Sequence, residues 1–155
     1  MLHRIAPFGL AASAGTALIV DLDPRSPSLP GPTLATLLAE GLTARHLRPA
    51  RKGVAVVGNG GISPKQADEL LRDLLAGWPA VVLRMPLAAP AIPVLPLEPP
   101  EIRPDPSGRA VWQAATRGSH GPGLVLPPVG RTVVRRLCRG QVEPRHRWVR
   151  AWTPV

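Results

Sequence analysis

The chain has no tyrosine, one phenylalanine (Phe8) and one cysteine in 155 residues. Aromatics make up only 3% of it, so the core has to be built from leucine, valine and alanine. A lone Cys138 excludes an internal disulfide framework and a cysteine-based zinc site. His3, His46, His120 and His146 are scattered, with no metal-ligand spacing. These absences fit a reducing, cytoplasmic setting. No run of about eighteen strongly apolar residues exists, so the sequence predicts no transmembrane helix. Acid is scarce at one end. Residues 1–101 hold nine Lys/Arg and eight Asp/Glu, whereas residues 102–155 hold ten Arg against Asp105 and Glu143 alone.

What is present reads as an α/β protein. Hydrophobic residues reach 45%, enough for a buried interior, and the length is that of one domain. Residues 5–20 carry no charge and follow Arg4, with Ala12-Ser13-Ala14 as a small-residue site, the outline of a secretory leader. Pro7 and Gly9 break that apolar stretch, and its most apolar part lies after the supposed cut. A short helix over 6–14, ended by Gly15, with a strand over 16–20, is the better reading. The strand, Ala17-Leu18-Ile19-Val20, runs straight into Asp21-Leu22-Asp23-Pro24. A short apolar run of this kind predicts burial on both faces, with the two acids at its carboxyl end.

After a Ser-, Pro- and Gly-rich loop (25–32), Thr33 is placed to cap a helix over 33–41, with Leu34, Leu37 and Leu38 as its apolar stripe and Gly41 as its stop. Residues 42–52 are basic and read as a solvated loop. Gly53–Gly58 is a second buried strand, and Asn59-Gly60-Gly61 a turn. Ser63-Pro64-Lys65-Gln66 carries the marks of a capped helix start. Ala67, Leu70, Leu71, Leu74 and Leu75 then form one core-facing stripe, ended by Gly77. Residues 80–84 are a third buried strand. Strand, helix and strand in this span make a βαβ unit with parallel strands.

Beyond it, eight prolines within residues 85–106 exclude regular helix and leave at most an edge strand over 92–97. A weak helix is expected over 107–117, a fourth strand over 124–126, and a helix over 130–139 stopped by Gly140. That last helix puts Val133, Val134, Leu137 and Cys138 inside and Arg131, Arg135, Arg136 and Arg139 outside. Residues 147–152 alternate like a strand or an extended arm. The expected division is a core over 1–86, a proline-rich crossing over 87–106 and an Arg-rich part of the same domain over 107–155.

Residues 16–86 resemble the deviant Walker-type ATPases of the ParA/MinD group. Ala17–Pro24 looks like that family's second strand with its Asp-x-Asp. Leu34–Gly41 looks like the helix that follows, and Gly53–Pro86 like the strand, helix and strand that carry the Walker B acid. The Arg-rich half also resembles, more loosely, short actinobacterial relatives, some of them beside Flp/Tad pilus genes. The resemblance implies an incomplete, three-layer fold of the P-loop NTPase kind.

Its catalytic parts are missing. No Gly-x-x-x-x-Gly-Lys-Ser/Thr stands anywhere. Gly58-Asn59-Gly60-Gly61 has no Lys-Ser/Thr in register. The family's apolar-apolar-Asp-x-Pro is here Val82-Leu83-Arg84-Met85-Pro86, so a magnesium-holding acid is replaced by a cation. Residues 6–14 fall where the tail of the phosphate-loop helix would lie. An ATPase therefore requires a strand and loop upstream of Met1, and ATP with Mg²⁺ enters only on that condition.

Asp21 and Asp23 suit ligand or metal coordination, or else a turn cap and a solvated acid. Arg84, at the matching end of a neighbouring strand, suits an ion pair with either acid or an anion site. No Gly-x-Ser-x-Gly elbow exists, and Cys138 lies on an apolar stripe as a structural thiol rather than a nucleophile. Arg131, Arg135, Arg136, Arg139, Arg145, Arg147 and Arg150, interleaved with Trp148 and Trp152, suit nucleic acid by phosphate pairing and base stacking. In the alternative, the tryptophans pin the segment to the sheet and the arginines stay solvated. The sequence thus points to a non-catalytic domain working through a protein partner; the alternatives are a nucleic-acid-binding protein using the Arg-rich half and an ATPase whose phosphate loop lies upstream.

Overall fold

The computed structural model describes residues 2–25, 29, 31–43, 46, 53–85, 101–104, 110–113, 124–139, 141 and 143–152. The expected edge strand at 92–97, the stop at Gly140 and most of the basic loop at 42–52 lie outside them.

Three strands, β1 (Thr16–Asp21), β2 (Gly53–Val57) and β3 (Val81–Arg84), form an open sheet in the order β2-β1-β3, parallel throughout. β1 is central. Its register pairs Ile19 with Val56 on one side and Val82 on the other. Because side chains alternate along a strand, β1 feeds two cores. Ala17 and Ile19 join one apolar cluster, and Leu18 and Val20 the other. Burying each such Val, Leu or Ile contributes about 1.5–3 kcal/mol, which is why the run tolerates no polar residue before its end.

Helices α2 (Leu34–Glu40) and α3 (Asp68–Gly77) cover the Leu18/Val20 face. Thr33 Oγ1 accepts the Thr36 N–H at 3.1 Å, the expected cap, and the Gly41 N–H closes the helix on the Leu37 carbonyl at 2.9 Å. Leu34 and Leu37 are buried. Leu38, expected on the same stripe, is instead 43% exposed, because the packed side of this two-turn helix is too narrow to include it. The Ser63–Gln66 box forms as read. The Ser63 N–H donates to Gln66 Oε1 at 3.0 Å and the Gln66 N–H to Ser63 Oγ at 3.4 Å, one turn ahead of the regular helix. Ala67, Leu70, Leu71 and Leu74 are buried, as their spacing requires.

The other face is covered by α1 (Leu2–Ser13), α4 (Arg131–Cys138) and α5 (Arg147–Arg150). The sheet therefore lies between two helical layers. α1 corrects the expected short helix over 6–14, since it runs through Pro7 and Gly9 from Leu2. Pro7 removes one hydrogen-bond donor, but Ile5, Ala6, Phe8 and Ala11 are all fully buried, and that burial outweighs the loss. Gly9 is a site of close approach. A Cβ there would fall inside the Trp152 indole, so the absent side chain makes room for that ring.

Residues 147–152 form a short helix and a turn, not the expected strand or extended arm. Trp148, Val149 and Trp152 stand at i, i+1 and i+4, which places all three on one helical side, and all three are buried. The tryptophan rings meet edge to face, 5.3 Å between centroids. His146 Nδ1 caps α5 by accepting the Trp148 N–H at 3.1 Å.

A second, separate sheet contains β4 (Glu101–Pro104), β5 (Ala110–Gln113) and β6 (Leu124–Val125), all antiparallel. β5 overturns the expected helix in this part of 107–117. β6 is the anticipated fourth strand, but it pairs with β5 and not with the parallel sheet. Alternation over so few residues decides little, and cross-strand pairing prevails over weak helical propensity.

The Gly9–Trp152 contact yields a double-mutant test. Gly9→Ala is expected to lower stability by about 1–3 kcal/mol in urea denaturation. In a Trp152→Ala background, where the indole is gone, the same change should cost less than a third of that.

Candidate functional site

In a parallel sheet the carboxyl ends of the strands lie on one edge, and here that edge gathers the polar residues the sequence singled out. Asp21 closes β1 and Arg84 closes β3, directly opposite each other in the ladder. Arg84 Nη1 donates to Asp21 Oδ2 at 3.0 Å. Both are buried, with side-chain exposures of 3% for Arg84 and 0% for Asp21. Asp23 stands farther out, its Oδ2 at 4.0 Å from Arg84 Nη2. It forms its own turn instead, accepting the Arg25 N–H at 3.1 Å. The second Asp21 oxygen, Oδ1, accepts the Asp23 N–H at 3.1 Å.

Of the two readings for Arg84, the ion pair with Asp21 is the one the geometry contains. A carboxylate and a guanidinium this far from water each cost several kcal/mol to bury, and only mutual pairing with further hydrogen bonds offsets the cost. Asp21 is thus engaged inward by Arg84 and by the following backbone. No group of three or more His, Cys, Asp or Glu side chains able to hold a metal ion occurs among the described residues.

Asn59 is a member of this edge that sequence reasoning missed. It was read as part of a flexible turn, yet it is 3% exposed. Its Nδ2 donates to the Asp21 carbonyl at 3.1 Å and to the Ile62 carbonyl at 2.8 Å, and its Oδ1 accepts the Gly61 N–H at 2.8 Å. One side chain thereby ties the end of β1 to the loop after β2. Gly60 allows the loop to fold this tightly. Its φ is +75°, and an added Cβ would lie 2.7 Å from Thr33 Oγ1. The Leu34 N–H also donates to the Gly58 carbonyl at 2.8 Å, fixing the start of α2 to the same edge. An Asn-Gly-Gly after a buried strand was the available signal, since asparagine in such a turn bonds neighbouring backbone.

The basic candidates lie elsewhere, in the α1/α4/α5 layer. Arg131, Arg135, Arg136 and Arg139 are exposed along α4, while Leu137 is buried and Val133, Val134 and Cys138 pack against the core, the division expected. Arg145, Arg147 and Arg150 are exposed around α5. Arg136 Nη1 reaches Glu143 Oε2 at 3.1 Å, a surface pair worth about 1 kcal/mol or less. Trp148 and Trp152 are corrected as base-stacking candidates. At 1% and 3% exposure, their faces are spent on each other and on α1. They anchor the arginines and do not share their surface.

Compared with models of protein families, with curated proteins and with solved structures, the chain matches none.

The buried pair gives an unequal set of expected mutational costs. Arg84→Met strands the Asp21 carboxylate in the interior and should destabilise by about 3–5 kcal/mol. Asp21→Leu combined with Arg84→Met removes both charges and should recover most of that loss in urea denaturation. Equal cost for the single and double variants would show that the stranded Asp21 carboxylate is not what makes the single change costly.

Proposed function

We propose that this chain is a non-catalytic domain of the ParA/MinD-like kind that works through contact with a protein partner in a reducing cytoplasm. The observation that carries the reading is the Asp21–Arg84 pair. At the sheet edge where a parallel α/β protein would hold a ligand, the first acid is bound at 3.0 Å by a buried arginine. Phosphoryl transfer needs cations placed to neutralise phosphate charge and an acid free to position metal. Here the acid's charge is met within the protein, and the arginine is enclosed with it.

The sequence supports the same reading, since it has neither a Gly-x-x-x-x-Gly-Lys-Ser/Thr loop nor an acid at position 84. A three-layer domain without that chemistry acts by its surface. The resemblance suggests a setting near a pilus or secretion system, or in the positioning of division machinery.

Titration calorimetry with Mg-ATP tests the reading. No saturable heat is expected, and micromolar affinity would overturn it in favour of a working nucleotide site.

A further inference from the structure

We infer that the outer surface of α4 and α5 binds the phosphate backbone of duplex nucleic acid, without reading its sequence and without needing a nucleotide.

The argument begins with which arginines have partners. In the described chain outside this layer, Arg72 pairs with Asp68 at 2.8 Å and Arg84 with Asp21 at 3.0 Å, while the exposed Arg25 stands by itself in sequence. Within residues 131–150, Arg136 pairs with Glu143. Among the described residues, Arg131, Arg135, Arg139, Arg145, Arg147 and Arg150 have no acidic partner, and all six are exposed. Like charges held this close repel one another, and an anionic partner relieves that repulsion.

The elements carrying these arginines are fixed. Leu137 and Trp148 are 1% exposed and Trp152 3%, and all belong to the cluster that also holds Ile5, Phe8 and Ile19. Arg131, Arg135 and Arg139 recur every four residues, so they line one side of α4 at intervals of about 6 Å, spanning about 12 Å. Over that length a duplex presents about seven phosphate charges, enough for each guanidinium to meet one. Arginine suits this contact because its planar fork pairs with two phosphate oxygens.

The surroundings select among anionic partners. Anionic lipid headgroups also attract exposed arginines, but α4 has no apolar side left to insert beside them, because that side is packed into the core. A protein interface requires an apolar or aromatic centre. The exposed described positions of 131–150 are Arg, Thr, Gln, Glu and Pro, with no such centre. Single strands are held by stacking on aromatic faces, and both tryptophans are enclosed. Phosphate contact in a duplex needs neither feature.

Fluorescence anisotropy with nucleotide-free protein tests the inference, using two unrelated DNA duplexes of about twenty base pairs, a single strand of equal length and poly-glutamate. Both duplexes should bind alike and more tightly than the single strand. The plot of log K against log salt should have a slope of about −5, for six engaged arginines. Arg131→Gln, Arg135→Gln and Arg139→Gln together should make the slope shallower by about 3, and Arg145→Gln, Arg147→Gln and Arg150→Gln together by a similar amount. Two variants guard against a fold defect in either one, with circular dichroism as the check. No duplex binding at about 50 mM salt, or an unchanged slope in both folded variants, would overturn the inference. So would tighter binding of the single strand, or equal binding of poly-glutamate, which would assign the surface to an acidic protein.

Discussion

A strand covered by helices on both faces can carry charge only at its end, and there only if the charge is met by another. That constraint shapes this protein. β1 has no polar side chain from Ala17 to Val20, because each residue belongs to one of two cores. Its first acid, Asp21, sits where the sheet runs out, and the register of β3 brings Arg84 to the same level. Asn59 then ties the following loop to the same carbonyl end. At this edge Arg84 pairs with Asp21, and Asn59 holds the Asp21 carbonyl.

The parallel sheet and its two crossing helices were legible because their signals are local and agree. Apolar runs bounded by glycine mark the strands, and a capping box followed by leucines at helical spacing marks α3. An ion pair of Arg84 with Asp21 or Asp23 was legible as well, from acids and a base at matching ends of strands expected to be parallel, but the choice of Asp21 was not. Three elements were not legible, for a shared reason. The run of α1 through Pro7, the coil of residues 147–152 into α5, and the strand at Ala110–Gln113 all depend on partners far away in sequence. Trp148 and Trp152 looked equally suited to a strand and to a helix until their burial against α1 was known. Asn59 was overlooked because a glycine-rich turn describes the backbone, while the role of asparagine lies in what its amide reaches.

The molecule separates its charges into two regimes. Those at the sheet edge are few, enclosed and paired, and serve the fold. Those on α4 and α5 are numerous, exposed and of one sign, and the fold gains little from them beyond the exposed Arg136–Glu143 contact. The anchoring tryptophans lie beneath this second group. They supply the rigidity that lets arginines on so short a helix as α5 keep a fixed arrangement.

The seating of Trp152 over Gly9 has a consequence for the order in which the protein assembles. Residues far apart along the chain must meet before α1 is sealed on its outer side. Until α5 arrives, Ile5, Phe8 and Ala11 lack part of their cover, and α1 rests on the sheet and on α4. α1 is therefore fully covered only once segments far along the chain have packed on it. A contact between segments so far apart in sequence carries a large loop-closure cost.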